Sequence, residues 1–497
     1  MLDLEKIKKL NKNTGFFRFK KFDNNSYLIT NDIAKYSFLN KDEFAKFIAG
    51  EIKAWQKFNE LKKKWFIKWD NEEEYVLEQA KKFAKKNEFL AFWPSLHIIV
   101  TTLRCNHKCQ YCHAAVAPMT AKEMDMTEET AKKVVDTIFY TSNPSLTIEF
   151  QGWESLVNWD ILKYIVEYAE IKAVHLKKDL KFSLVTNLTL MDDEKLEYLI
   201  KHNVWISTSL DWNEEIHNYN RTFKEGNSFK QVTYWIKRIN EEYEKRWIKQ
   251  KVGALLTVTK KTLSNYKEVI DAYIELWLDW MFLRPLNPYG FAASDLEKLW
   301  YSMEEFIEFY KKSMEYIIEL NKKWILFREA LSSIYLSKIL TDKDPNYLDE
   351  RSPCGACIGQ VAYNYDWKIY SCDEGRMLGR MWDDNFLMTE IWDSWEETYN
   401  NMIESETTKI MVQASTLDWL PWYNESVYKP YIWVCPIHSY KTTWNIIPNY
   451  SKDHKKYLDY NVLDYIFNSL RIEENKKVFE KWLGMEENLV TSQCESI

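Results

Sequence analysis

Leu96-His97-Ile98-Ile99-Val100-Thr101-Thr102-Leu103-Arg104-Cys105-Asn106-His107-Lys108-Cys109-Gln110-Tyr111-Cys112 is the stretch on which the reading of this chain turns. The apolar and β-branched run from Leu96 to Thr102 reads as a buried strand. It passes directly into a loop with three cysteines, Cys105-x3-Cys109-x2-Cys112. Thiolates crowded on one loop need a cation to share. Three of them can hold three irons of a 4Fe–4S cluster and leave the fourth iron open to a small ligand. A closed zinc site would want a fourth protein ligand, which His107 or His113 could supply.

Outward from this loop, the remaining cysteines form a second group, Cys354, Cys357, Cys372 and Cys435, with Cys494 alone near the end as a spare thiol. A disulfide framework is not expected, because the start, Met1-Leu2-Asp3-Leu4-Glu5-Lys6, lacks the apolar core of a signal peptide. The longest apolar stretch, Phe89 to Leu103, is too short for a membrane span and contains Pro94 and His97. Net charge is −7 without long basic blocks, so nucleic acid is not an expected partner. The expectation is a soluble cytoplasmic protein that neither spans a membrane nor binds nucleic acid.

Strand-like runs recur near 97–102, 147–151, 181–187, 205–210, 252–258 and 281–285. Helical patterns lie between them near 127–141, 159–172, 192–202, 229–245 and 264–276. Alternation of this kind implies a parallel sheet with right-handed crossovers. Six units make an α/β, partial (β/α)6 barrel, and cofactor sites in such folds sit at the carboxyl ends of the strands. Cys105, Glu154, Asn187 and Asp211 all fall there. Five segments are expected: 1–92, 93–300 for the barrel, a helical linker over 301–350, a cysteine-rich unit over 351–445, and a helical tail over 446–497.

Composition is abnormal at one point. The 497 residues include 11 glycines and 23 tryptophans, whereas glycine normally makes up about 7% of a protein. Asp211-Trp212, Asp279-Trp280 and Asp366-Trp367 stand where Asp-Gly is the strong turn signal. Many of these tryptophans therefore read as glycines in the living protein, from a stop codon that the source organism translates as glycine. A genuinely tryptophan-rich protein is the other reading.

The Cys-x3-Cys-x2-Cys loop after a first strand resembles the signature of the radical S-adenosylmethionine (SAM) enzymes. Tyr111 matches the aromatic that this family sets against the SAM adenine. Ile148-Glu149-Phe150-Gln151-Gly152-Trp153-Glu154 is similar to the family's strand followed by Gly-Gly-Glu, which holds the SAM amino group, with Trp153 in the place of the second glycine. The resemblance further implies SAM contacts for Asn187, Ser209 and Arg221. It also implies a mechanism: the cluster on Cys105, Cys109 and Cys112 reduces bound SAM, releasing a 5′-deoxyadenosyl radical that abstracts hydrogen from a substrate.

Cys354-x2-Cys357 is followed by two alternating strands with a turn at Asp366-Trp367, a hairpin that returns Cys372 beside Cys357. This resembles the SPASM auxiliary-cluster domain of peptide-modifying radical SAM enzymes. Tyr423, Ser426 and Ile432 stand where that domain has cysteines of a second cluster. The resemblance therefore implies one auxiliary 4Fe–4S cluster on Cys354, Cys357, Cys372 and Cys435, with structural zinc as the alternative. Asp373 matches the aspartate that is the substrate base in sulfatase-maturing relatives. The strings around Cys105, Gly152 and Cys372 look most like HxsB-type maturases. That resemblance implies a peptide or protein partner with His-Xaa-Ser repeats and a reductase or flavodoxin-like electron donor. Residues 15–90 could form a small winged-helix-like α+β module that grips a peptide by strand addition, or a plain helical cap. Two rival functions remain open: a sulfatase-type formylglycine maturase, and a non-catalytic, degenerate iron–sulfur protein that only binds a peptide.

Overall fold

The computed structural model describes residues 13–52, 55–112, 116–287, 299–342, 344–345 and 347–485; His113 and Cys494 lie outside them. The chain opens with an antiparallel sheet of β1 (Arg18–Lys21), β2 (Ser26–Thr30) and β3 (Tyr36–Asn40). Helices Lys41–Ala49, Trp55–Lys63 and Glu72–Lys86 follow. This unit closes around its own core of Ile29, Leu39, Phe47, Leu61, Phe66 and Ile67. Asn40 starts the first helix with a reciprocal cap: its side chain accepts from the Glu43 N–H, and Glu43 accepts from the Asn40 N–H. Gly50, in the left-handed conformation, ends it.

Next come β4 (Leu96–Ile99), β5 (His107–Cys109), β6 (Ser145–Phe150), β7 (Asp179–Thr186), β8 (Val204–Ser209), β9 (Arg221–Phe223), β10 (Gly253–Thr257) and β11 (Trp280–Arg284). β4, β6, β7, β8, β10 and β11 pair in parallel in that order. Helices Glu128–Tyr140, Trp159–Leu176, Asp193–Lys201, Ser228–Lys245 and Tyr266–Glu275 cross between them. All six expected strands and five expected helices are present, and Thr127 caps the first helix as its sequence suggests. β5 and β9 stand apart as an antiparallel ribbon, pairing Cys109 with Arg221.

The sheet continues past both ends of this half-barrel. β12 (Arg328–Glu329) joins β11 in parallel, so residues 301–350, expected as a helical linker, also contribute a strand beside helices Met303–Lys322 and Ala330–Leu340. β13 (Gln360–Tyr363) pairs in parallel with β4, and β14 (Lys368–Tyr370) and β15 (Leu387–Glu390) continue antiparallel. The expected cysteine-rich hairpin is thus the continuation of the barrel sheet at the open edge of its first strand. Helices His454–Ser469 and Glu473–Trp482 pack on Met303–Lys322 and Ala330–Leu340. The first of them also meets the N-terminal sheet, where Tyr36 and Phe38 lie against Phe467. No described helix is long and apolar enough to cross a membrane.

Tryptophan occupies unusual backbone. Of twelve described non-glycine residues with positive φ, seven are tryptophans: 65, 247, 277, 324, 367, 382 and 444. After Trp65, Trp247, Trp277, Trp324 and Trp382, the next N–H reaches back to the carbonyl five residues before it. That is the hydrogen bond of a helix end closed by a left-handed residue, the position where glycine is strongly preferred. Trp247 and Trp382 are 93% and 94% exposed, so packing does not hold them there. Trp367 has φ of 71° in the turn between β13 and β14.

Candidate active site

The three-cysteine loop lies at the carboxyl end of β4, where two devices fix its backbone. One is the ribbon with β9; the other is a pair of hydrogen bonds that tie Cys105 N–H to Ala117 O at 3.2 Å and Cys112 N–H to Cys109 O at 3.2 Å. The His107 N–H donates to Cys105 Sγ at 3.3 Å, and Asn187 Nδ2 lies 3.9 Å from the same sulfur. Burial, then the neighbouring Cys109, Glu154 and Cys112, push the Cys105 thiol well up. Burial pushes Cys109 up to about 12, although the Arg221 guanidinium beside it acts the other way.

Gly152 follows β6 at φ of 137°, and a Cβ there would meet Val100 Cγ1 at 3.2 Å and Thr102 O at 3.3 Å. Only glycine suits both the conformation and the space. Trp153 turns its indole inward against Ile98, Val100 and Leu103, beside Cys105 and Cys112, and its Nε1 is buried without a hydrogen-bond partner. The side chain thus belongs to a buried cluster against which the cysteine loop packs. Glu154 is fully buried. Its Oε1 accepts from Leu156 N–H at 3.2 Å and Thr186 Oγ1 at 2.7 Å, and its Oε2 from Asn187 N–H at 2.7 Å. Burial raises its carboxyl to about 7 against those hydrogen bonds. In this arrangement Glu154 joins the ends of β6 and β7.

Asp211, after β8, is a hub without solvent exposure. It accepts from the Tyr111 hydroxyl, from Asn220 Nδ2 at 3.2 Å and from Arg221 Nε at 3.3 Å. The Arg221 guanidinium also lies 5.1 Å from the centre of the Tyr111 ring. Tyr111, Asp211, Arg221 and Cys109 thus form one assembly. Ser209, at the end of β8, is half-buried beside it.

A hydrogen-bond wire that the sequence did not reveal runs behind the loop. The Asp211 N–H donates to His217 Nδ1 at 3.2 Å, and His217 Nε2 lies 2.9 Å from Ser228 Oγ. Ser228 Oγ is also 2.9 Å from His107 Nε2, whose Nδ1 is 3.1 Å from Asn106 Oδ1. One donor direction satisfies every link, from His217 Nε2–H through the serine hydroxyl to His107 and then to Asn106. Burial holds His217 near 4 and His107 near 3, so both rings are neutral.

In the second cysteine group, Cys354, Cys372 and Cys435 line one small cavity with Asp349, Glu374 and Lys455. Cys357 stands beside the hairpin end as expected, its N–H donating to Ser371 O at 2.8 Å. Its thiol, however, does not line that cavity but meets the Thr408 hydroxyl, and burial pushes it up to about 12. Its backbone has φ of 69°. Asp373 is buried and paired with Arg376, whose Nε and Nη2 donate to Asp373 Oδ1 at 2.8 and 2.5 Å. Arg376, three residues on along the same helical face, is a partner of the candidate Asp373 that the sequence reading missed, although its spacing from Asp373 was visible.

Both thiol groups fit iron–sulfur chemistry. Each gathers three buried or half-buried thiols close to one another and to carboxylates, with Arg221 beside the first group and Lys455 beside the second, a donor set suited to sharing a cation as thiolates. No three described His, Cys, Asp or Glu side chains gather closely enough to hold a single metal ion. A cluster does not require that convergence, because its thiolates bind different irons.

Residues 99–281 match the family model of the radical SAM superfamily. The cysteine-type anaerobic sulfatase-maturating enzyme of Clostridium perfringens is 27% identical over 288 residues, 56% of this chain and 74% of that protein. The radical SAM cyclopropyl synthase TigE of Paramaledivibacter caminithermalis is 29% identical over 214 residues, 40% of this chain and 44% of that one. A solved structure of anSMEcpe with bound AdoMet has a TM-score of 0.62 at 18% identity, covering 79% of this chain and 98% of that one. That likeness is one of fold. The match to the radical SAM superfamily model thus spans the six parallel strands from the end of β4 to β11, with the three-cysteine loop at their head.

Proposed function

We propose that the chain is a radical SAM maturase that modifies a ribosomally made peptide or protein, its partner bearing His-Xaa-Ser repeats as in HxsB-type systems. The observation that carries this reading is the convergence of Cys105, Trp153, Arg376 and Asp373. Trp153 packs beside the cysteine loop, Arg376 lies over its ring, and Asp373 accepts from Arg376. The SAM motif and the candidate substrate base thus share one side chain. Similarity to a sulfatase-maturating enzyme and to a cyclopropyl synthase supports a peptide or protein substrate.

In this reading Cys105, Cys109 and Cys112 hold the SAM-binding cluster, and Cys354, Cys372 and Cys435 hold an auxiliary cluster without the Cys357 thiol. When bound, the cluster and SAM supply reductive cleavage and hydrogen abstraction. The chain's own residues orient and exclude. Asp211 locks Tyr111 as a flat platform, Arg221 offers positive charge beside Cys109, and Ser209 and Asn187 border the opening. Asp373 takes a proton from the substrate. Reducing equivalents come from a flavodoxin-like donor in the cytoplasm.

Position 153 is glycine in the protein as its source makes it. The literal indole fills the space that the methionine end of SAM requires, and it leaves Nε1 buried without a partner. The seven tryptophans in left-handed backbone support the same reading independently. In the N-terminal unit, β1 and β3 each pair on one side only, which suits peptide addition to a sheet edge. Removing residues 1–90 then abolishes peptide binding; retained binding removes that assignment.

Tandem mass spectrometry of the native protein across Phe150–Asp160 tests the glycine directly. Anaerobic incubation of the glycine form with SAM, dithionite and a His-Xaa-Ser peptide yields 5′-deoxyadenosine and a mass change on the peptide. A sulfatase-type maturase is the second reading, favoured by the 27% identity to such an enzyme. It predicts instead a mass change on a sulfatase-derived cysteine peptide. If the native protein carries tryptophan at 153 and releases no 5′-deoxyadenosine, the chain is a peptide-binding protein.

A further inference from the structure

Helix His454–Ser469 lies more than eighty residues beyond the Cys372 hairpin, yet its first turn reaches the second thiol group. Lys455 shares the small cavity of Cys354, Cys372 and Cys435. Its Nζ stands 5.2 Å from the centre of the Trp433 ring. The backbone beneath it is fixed, because Asp453 accepts from the Lys455 N–H at 2.9 Å and the Lys456 N–H at 3.2 Å, and also from the Tyr423 hydroxyl at 2.5 Å. The capped helix end thus fixes the Cα from which the Lys455 side chain reaches the cavity.

We propose that Lys455 is the counter-charge of the auxiliary cluster on Cys354, Cys372 and Cys435 and sets its reduction potential. The inference rests on the auxiliary-cluster reading above and goes beyond it, because Lys455 belongs to no cysteine motif. The physical argument is one of charge. Three thiolates and the carboxylates of Asp349 and Glu374 face this cavity, and Lys455 is the cation among the described residues that line it. Reduction adds one more negative charge to a cluster. A nearby ammonium in a site poor in water stabilises the reduced form more than the oxidised one. Removing the ammonium makes the cluster harder to reduce. Lys455 is thus a positioning residue for charge and makes no bond to iron.

The test uses the full chain in a C105A/C109A/C112A background, so that the auxiliary cluster is the iron–sulfur group left to observe. Wild-type and variant Lys455 proteins are reconstituted anaerobically, iron and sulfide are counted, and the midpoint potential is read by electron paramagnetic resonance during redox titration. We expect K455Q to retain its iron and shift the reduction equilibrium about tenfold toward the oxidised form, about 59 mV for one electron. K455R restores most of that shift. A fully loaded K455Q with an unmoved potential overturns the proposal and assigns Lys455 to its neighbouring carboxylates. If K455Q takes up no iron, E374Q gives the second reading. Loss of that negative charge must raise the potential, and an unchanged value overturns the electrostatic account. A background protein holding zinc, or no iron, on these thiols overturns the auxiliary-cluster reading and this proposal with it.

Discussion

The Arg376 guanidinium stands 4.5 Å from the centre of the Trp153 ring while its Nε and Nη2 both donate to Asp373 Oδ1. One side chain thereby touches the segment after β6 and the segment after Cys372, which are more than two hundred residues apart. Its Nη1 is buried without a hydrogen-bond partner, so a donor is left over at the place where the indole now packs. Substituting Trp153→Gly opens that place. Affinity for SAM should rise at least about tenfold, which is about 1.4 kcal/mol, as measured by anaerobic equilibrium dialysis. Equal affinities in the two forms would show that the indole does not occupy the ligand's space.

Asp211 carries the charge balance of Arg221. Both are buried, and Asp211→Ala leaves a guanidinium without its carboxylate. Breaking a buried pair from one side costs about 3–5 kcal/mol. Urea unfolding of D211A should show a loss in that range. The Tyr111 ring, released from its hydroxyl contact, should weaken SAM binding further. A loss below about 1 kcal/mol would mean that water reaches the pair.

The histidine wire contributes to the acid sensitivity of the fold. His217 and His107 have folded pKa values near 4 and near 3, below the ordinary value of about 6.5. Each stays neutral in the folded chain while the unfolded chain takes up protons. Their stability contribution is present above about pH 6.5 and is lost as pH falls toward 4, at roughly 1.4 kcal/mol per pH unit for each ring. Wild type should therefore weaken between pH 6.5 and 5.5, and H217Q should show a slope about 1 kcal/mol per unit shallower. Parallel slopes from urea midpoints at the two pH values would refute the assignment.

Metal content separates the second cysteine group. C354S, C372S and C435S should each lose the auxiliary iron, whereas C357S should keep it, because the Cys357 thiol meets Thr408 and does not line the shared cavity. Iron and sulfide analysis in the C105A/C109A/C112A background reads this directly. Iron loss in C357S would restore the set of four expected from the sequence.

Much of this fold was legible because its information is local. The apolar period of each barrel strand, the cap at Thr127 and the turn at Asp366-Trp367 lie within a few residues of what they specify. The pairing of β13 with β4 was not legible, since it joins residues 360–363 to 96–99 and neither run names its partner. The ribbon of β5 and β9 was missed for the same reason, and with it the contact of Arg221 with Cys109. Spacing grouped the cysteines, yet it does not encode the surroundings of the Cys357 thiol, which meets Thr408 and does not line the cavity of the other three. Lys455 lay in a tail whose packing partner could not be chosen from its pattern. Tertiary contact alone brings it to the thiols.

The left-handed tryptophans carry a consequence for any laboratory that expresses this gene. A bulky residue in that conformation costs about 1–2 kcal/mol, and the structure places seven of them. Their sum, about 7 kcal/mol or more, rivals the whole folding margin of an ordinary protein, about 5–15 kcal/mol. On the proposed glycine reading, a host whose ribosomes insert tryptophan at these codons would build a chain close to its unfolding limit, while one that stops there would release fragments. If these positions are glycine in the source cell, its decoding apparatus belongs among the determinants of this protein's stability, as much as its core.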